Sequence, residues 1–315
     1  MSESSTRPNQ RKGVVRVMWF VMFLNLAVAA AKVIVGELCG STAVKADGIH
    51  SMFDGVSNVV GLFGLYMAAR PADEGHPYGH GKFETFASAF IGCLLLLAAY
   101  EVGYSAVSSL VAGTSTVEFS PLTVAVMVVT ICVNVGVTTY EHAMGRKYCS
   151  ALLDADAKHT LSDVLVSGSV IVGLVFVALG YPIADSIAAL VVTVAIVCAA
   201  LSVFKDVRDT FADSARIDGG LLAECALGVE GVRSCHHVRT RGMEGEIYAD
   251  LHVLVDPDVS VAAGHAIADD VERAVKQRFE HVVDVLVHIE PDTPEQRAEA
   301  EPQAAAGYRS EPLGA

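Results

Sequence analysis

The sequence predicts an α-helical membrane protein: a six-helix transmembrane bundle followed by a small cytoplasmic α+β domain at the C-terminal end. Three observations carry that prediction. Mean hydropathy is +0.46 and 52% of residues are hydrophobic, with only 18% charged, whereas a soluble domain carries about 25%. The first two thirds of the chain fall into apolar stretches of about the 20 residues that a bilayer crossing needs. The acidic excess behind the net charge of −14 lies in the last third, so two regions face two solvents.

Six spans are expected, at about 14–36, 42–69, 83–111, 121–140, 152–180 and 183–205. Stop signals separate them: Gly36-Glu37, Arg70-Pro71, Gly113 to Pro121, Glu141 to Ser150, and Gly180-Tyr181-Pro182. The polar N-terminus is followed by no clean small-residue cleavage site, so the first apolar run reads as an uncleaved span. Basic residues alternate across the spans. Arg7, Arg11, Lys12 and Arg16 precede the first, Arg70 and Lys82 follow the second, Arg146 and Lys147 the fourth, and Lys205 and Arg208 the sixth. The loops at 36–41, 112–120 and 180–182 carry none, which places both termini in the cytoplasm. Lys32 and Lys45 are expected to snorkel from the outer ends of the first two spans.

Beyond about Asp206 the pattern changes to that of a soluble domain. Residues 219–229 suit a short helix, and 234–241 and 246–255 alternate like strands around a turn marked by Gly242 and Gly245. Residues 260–279 have helical periodicity with Ser260 or Asp258 as N-cap, and 282–290 alternate again. This order predicts helices on one face of a small sheet. The tail from 292 to 315, rich in Ala, Glu and Pro, is predicted disordered.

Composition also excludes some functions. A pI near 5.1 without clustered Lys and Arg argues against nucleic acid. The seven cysteines form no CxxC pair and read as small buried hydrophobes rather than a disulfide framework.

The chemistry is concentrated in a pattern written twice. Residues 46–54 read ADGIHSMFD and 155–163 read ADAKHTLSD, each inside an apolar span. Residues four apart share a helix face, so His50 with Asp54, and His159 with Asp163, each present an imidazole and a carboxylate one turn apart. Two such helices facing each other make a four-ligand N2O2 cage suited to tetrahedral Zn²⁺. Ionisable residues inside a bilayer are costly and usually functional, and matched copies on two spans argue against a merely structural network. Asp47 and Asp156, three residues before each histidine, are expected to support the ligands rather than bind metal.

With these motifs the chain resembles the cation diffusion facilitator family, in its zinc-type divalent metal exporters. The resemblance covers about residues 14–291 and extends to PADEGHPYGHGKFE at 71–84, HHVRTR at 236–241 and VHIEP at 287–291. It implies a homodimeric exporter that exchanges divalent metal for protons between inward-open and outward-open states. Its C-terminal domain would be ferredoxin- or metallochaperone-like. The implied organisation is a cytoplasmic segment at 1–13, a transport domain at 14–206, a metal-binding dimerisation domain at 207–291, and the tail.

Matched residue by residue, the resemblance makes His50, Asp54, His159 and Asp163 the transport site. The histidine at position 50 is as in dedicated zinc exporters, where some bacterial relatives have aspartate. Asp73, His76 and His80 match a metal site in the second–third loop. Lys82 matches a lysine that pairs with an acidic residue after the sixth span, here Asp213, as a charge interlock of the dimer. His236, His252, His265 and His288 match zinc ligands of the cytoplasmic domain, with Glu290 where some relatives have aspartate. His237 and Cys235 adjoin His236 and could substitute for it. His142 and His281 match nothing in the family pattern and are expected to face solvent.

The predicted function is therefore proton-coupled efflux of a divalent metal, most simply Zn²⁺, with Cd²⁺, Co²⁺ and Fe²⁺ as alternative substrates. A rival reading is a metal-responsive membrane scaffold or sensor with vestigial transport, against which the intact four-residue set speaks. An intramembrane metalloenzyme is disfavoured because HExxH is absent.

Overall fold

The computed structural model describes residues 6–38, 42–112, 121–178 and 183–298. At 6–11, 36, 42–50, 53–54, 112, 121–123, 170, 173–175, 177–178 and 183–185 it describes the backbone alone. The chain divides into two compact units, at 1–208 and 209–315.

Six long helices make the first unit: α1 (Thr6–Leu38), α2 (Thr42–Ala68), α3 (Phe83–Ala112), α4 (Pro121–Tyr148), α5 (Ala151–Ala178) and α6 (Ile183–Phe211), the last running on past Arg208. Among the described residues, four stretches are long and apolar enough to cross a membrane: Lys12–Val35, Lys82–Val111, Val124–Tyr148 and Ser186–Phe211. Within the described part of α2, Gly55–Ala68 is a further, shorter apolar run.

The bundle interior is one cluster drawn from all six helices, including Met18, Leu65, Ile91, Val137, Leu152 and Ile196. Large side chains such as Phe20, Phe23, Phe63 and Val191 instead stand exposed on the periphery. An apolar exterior around an apolar interior suits lipid as solvent. Small residues allow the closest helix approach: a Cβ on Gly64 of α2 would fall 2.5 Å from Cβ of Ala87 on α3.

Two expectations change here. The predicted loop at 141–150 is helical as far as Tyr148, leaving only Cys149, at φ 50°, and Ser150 between α4 and α5. Apolar periodicity continues through Met144 and Tyr148, both packed against the core, and Arg146 and Lys147 stabilise the last turn of α4 through the helix dipole. Lys32 does not snorkel. It is buried, and its Nζ donates to Ser51 Oγ of α2 at 2.9 Å. Lys45 has no described side chain.

The second unit has the predicted order: α7 (Gly219–Leu227), β1 (Ser234–Met243), β2 (Glu246–Val255), α8 (Val261–Arg278) and β3 (Val282–Pro291). Asp218 caps α7, accepting from the amides of Gly220 and Leu221. Ser260, not Asp258, caps α8. The sheet order is β1-β2-β3, antiparallel between the first pair and parallel between the second, with α8 as the crossover. Leu222 and Ala226 of α7 and Val271 and Val275 of α8 pack with Ala249, Leu251, Val253 and Val285 of the sheet.

Gly242 lies inside β1 rather than in the turn, at φ 114°. A Cβ there would stand 2.2 Å from the carbonyl oxygen of Glu246, so the position requires glycine.

Candidate metal sites

The sheet of the second unit assembles the first site. Alternation along β2 sends Ala249, Leu251 and Val253 into the core and His252 to the opposite face. The register then sets His236 of β1 and His288 of β3 directly beside His252, so three strands contribute one row of imidazoles. A bulge between His236 and Arg239, with His237 at φ 49°, folds a fourth ring into the row. Ring centroids are 5.2 Å apart for His236–His252, 4.6 Å for His252–His288 and 4.9 Å for His237–His252.

Glu290, two residues beyond His288 on the same face, is the hub. Its carboxylate is 2.8 Å from His252 Nδ1, 3.2 Å from His236 Nε2 and 3.5 Å from His288 Nε2. His236, His252 and Glu290 each offer one ligand atom within 4.8 Å of the others, a borderline-hard donor set that Zn²⁺ accepts.

Two predicted participants stand apart. His265 is on α8, exposed, with Nε2 3.7 Å from Asp269, and does not join the row. Cys235 points into the apolar core, where burial pushes its thiol up to about 12, so it stays protonated and offers no thiolate.

The loop between α2 and α3 builds the second site. The backbone amide of His76 donates to Asp73 Oδ1 at 2.8 Å, and this bond above all holds the carboxyl below its ordinary range, with the two imidazoles assisting. His76 Nδ1 lies 3.2 Å and His80 Nε2 3.5 Å from Asp73. The buried ring of His80 stacks at 5.8 Å on Phe83. Its Nδ1 lies 3.1 Å from the carbonyl of Pro71. A carbonyl only accepts, so Nδ1 must carry the proton, and the lone pair of the neutral ring is on Nε2, beside Asp73. Again three ligand atoms lie within 4.8 Å of one another. Lys82, just beyond, is exposed.

The third candidate is the repeated motif itself. On α5, His159 is 7% exposed, and neither ring nitrogen has a hydrogen-bond partner among the described residues. Asp163 follows one turn later, half-buried. On α2 the side chains of His50, Asp54 and Asp47 lie outside the described residues, although the backbone there is helical. Asp156 is buried but does not bond His159: its Oδ1 accepts from Ser57 Oγ of α2 at 3.3 Å. That bond also shows α2 and α5 touching one turn beyond Asp54.

Sequence reasoning missed the polar interior around this contact. Glu141 of α4 is completely buried and accepts from Thr160 Oγ1 of α5 at 3.3 Å, and Ser57 and Asn58 of α2 are also buried. The missed signal was periodicity: helical spacing continues through Glu141, which a count of basic loop residues assigned to a loop. His142 is half-exposed with Nδ1 3.0 Å from Asp154, while His281 supplies a backbone carbonyl to Ile247. Asp213, at φ 50°, belongs to the second unit.

A multi-span helical bundle, an α+β unit and clustered histidines and carboxylates in both define a class: integral membrane proteins that handle metal ions. Comparison with known proteins makes this specific. The family model for the cation efflux transmembrane domain matches residues 18–211. That for the cation efflux protein cytoplasmic domain matches 220–292. The chain therefore belongs to the cation efflux family, the cation diffusion facilitators, which transport divalent metal cations; it is a transporter rather than an enzyme.

Among its relatives, the uncharacterized transporter MJ0449 of Methanocaldococcus jannaschii is 34% identical over 84% of this chain and 94% of its own. Magnetosome protein MamB of Magnetospira sp. is 30% identical over 87% and 94%. Metal tolerance protein C1 of Arabidopsis thaliana is 32% identical over 85% and 60%. A solved structure of the MamM CTD is 33% identical, covering 23% of this chain and 90% of that one at a TM-score of 0.22.

Proposed function

We propose that this transporter exports Zn²⁺ from the cytoplasm in exchange for protons by alternating access, with both termini cytoplasmic, through a site formed by His50, Asp54, His159 and Asp163. The observation that carries the reading is His159: a buried imidazole with neither nitrogen partnered among the described residues. Leaving such a group unsatisfied costs about 1–3 kcal/mol, a cost that ligation of a cation removes. Two imidazoles and two carboxylates on facing helices suit Zn²⁺, and a relative named for metal tolerance supports a metal-exporting role.

Protons and Zn²⁺ compete for the same lone pairs, since a ligating histidine must be neutral and an aspartate ionised. Metal entering from the cytoplasm displaces protons; after a rocking change of access, protons from outside reoccupy the histidines and metal leaves. Histidine titrates near physiological pH, which suits that exchange. Asp73, His76 and His80, and His236, His252, His288 and Glu290, serve as further sites that sense or stabilise with bound metal. The chain works as a homodimer, with Lys82 and Asp213 as the charge interlock. Vesicles carrying His50→Ala or Asp163→Ala are expected to lose zinc-for-proton flux; wild-type flux in both refutes the site.

A further inference from the structure

One apolar span begins at Lys12 of α1 and another ends at Tyr148 of α4. These two ends touch, because a Cβ on Gly13 would run into the ring of Tyr148. Two turns inward, Phe20 of α1 meets Tyr140 of α4 edge to face, with ring centroids 5.7 Å apart. The two helices are therefore antiparallel neighbours along a seam that runs from Gly13 and Tyr148 to Phe20 and Tyr140.

Helical spacing sets four cations around the mouth of this seam. Arg16 precedes Phe20 by one turn and Lys147 follows Tyr140 by two, so both share the face on which those rings meet. Lys12 lies one turn beyond Arg16, and Arg146 flanks Lys147; all four are exposed. Lys147 Nζ stands 5.5 Å over the Tyr148 ring, and among the described residues none of the four enters an ion pair.

The shortage of acidic partners is local. The chain has 36 acidic against 22 basic residues, yet α1 carries no acid before Glu37 near its other end. The one acid of α4 is Glu141, which is completely buried and bonded to Thr160. Directly inward the seam turns apolar, with Phe20, Phe23 and Tyr140 exposed and Trp19 stacked on Phe23. Cations at the ends of two spans reach headgroup depth, and rings one to two turns inward lie where acyl chains begin. A free anion would use the cations alone, whereas a lipid uses the cations and the rings.

We infer that the seam between α1 and α4 binds an anionic phospholipid. Arg16 and Lys147 hold its headgroup phosphate, Lys12 and Arg146 add outer charges, and Phe20 and Tyr140 lie against an acyl chain. Arginine offers the phosphate oxygens a fork of donors and lysine a point charge. A basic side chain near a bilayer surface is worth about fivefold in affinity for an anionic lipid, so Arg16 and Lys147 together supply about 25-fold. The site requires that these helices span a bilayer and is independent of which metal is carried.

Trp19, the one tryptophan of the chain, lies three residues from Arg16 and reports on this seam. The full-length protein is reconstituted in phosphatidylcholine bilayers, into which brominated phosphatidylglycerol or brominated phosphatidylcholine is titrated. Quenching of Trp19 then gives the relative binding constant of the two lipids. Wild type should prefer the anionic lipid by about 25-fold or more, and Arg16→Gln/Lys147→Gln should lose about that factor. The preference is a ratio of two quenchings in one protein, so a change in the depth of Trp19 cancels. Arg70→Gln/Lys205→Gln removes the same charge from the ends of α2 and α6 and should keep the wild-type preference. A wild-type preference below about fivefold, or an equal loss in the two double variants, overturns the site. Loss of the preference to inorganic phosphate, but not to chloride at equal ionic strength, overturns the lipid as its occupant.

Discussion

Replacing His159 separates ligation from structure, because the two predict opposite signs for stability. Its ring is buried, and both nitrogens lack partners among the described residues. In the metal-free protein, His159→Leu removes a group unsatisfied among the described residues, which costs about 1–3 kcal/mol, and substitutes an apolar side chain of similar volume. At about 2–4 °C per kcal/mol for a unit of this size, the melting temperature should rise by about 2–12 °C. Metal reverses the order. A structural zinc site is worth about 10–16 kcal/mol over four ligands, or about 2.5–4 kcal/mol for each, so the substitution should weaken Zn²⁺ binding by about 10²–10³-fold. At a concentration of about 100 Kd for this site, wild type gains about 2.7 kcal/mol from Zn²⁺ bound there and the variant almost none, so the variant's zinc shift should fall to what the loop and sheet sites supply. Thermal unfolding in detergent, with chelator and with Zn²⁺, reads both effects. A variant less stable than wild type under chelator would show that His159 makes structural bonds. A variant that keeps the full zinc shift would show that it is not a ligand.

Other predictions concern the loop and the second unit. Asp292, bonded by Arg297 and by Arg233, is held down to about 2, first by the Arg297 hydrogen bond. Because this value is depressed, its stabilisation is fully present above its unfolded value of about 3.9 and fades as pH falls towards 2. The difference in hydrogen exchange of β1–β3 between wild type and Asp292→Asn should accordingly shrink over that window. Leu251, fully buried beneath the sheet, should cost about 2–5 kcal/mol as Leu251→Ala in denaturant unfolding followed by the same exchange. Glu290→Gln removes the charge that three histidines approach, and should weaken Zn²⁺ binding at the sheet site by at least tenfold in calorimetry. On the loop, Asp73→Asn should lower the zinc-binding count by one site while leaving the protein folded, since Asp73 is exposed.

Much of this was legible from periodicity. The strands of the second unit announced themselves by alternation, while position before an amphipathic run narrowed the cap of α8 only to Ser260 or Asp258. The end of α4 was not legible, because basic residues in its last turn look like a loop when loops are found by charge. Glu141 was lost with it. The histidine row needed register: His236, His252 and His288 are distant in sequence and meet because β2 pairs with both neighbours at the same level. His237 joins them only through a bulge that no spacing rule foretells. The loop triad was local enough to see, but the proton position on His80 required the Pro71 carbonyl. Cys235 and His236 show why adjacency misleads, since neighbouring strand residues face opposite sides of the sheet.

Zinc-for-proton exchange is the central claim, and counterflow in proteoliposomes tests it most directly. Vesicles holding the wild-type protein and a pH-sensitive dye are given Zn²⁺ outside, at equal pH on both sides. Zinc entry should drive protons outward, raising the internal pH, and an imposed inside-acid gradient should accelerate zinc uptake. Zinc uptake with no internal pH change, and no response to the gradient, would contradict the exchange.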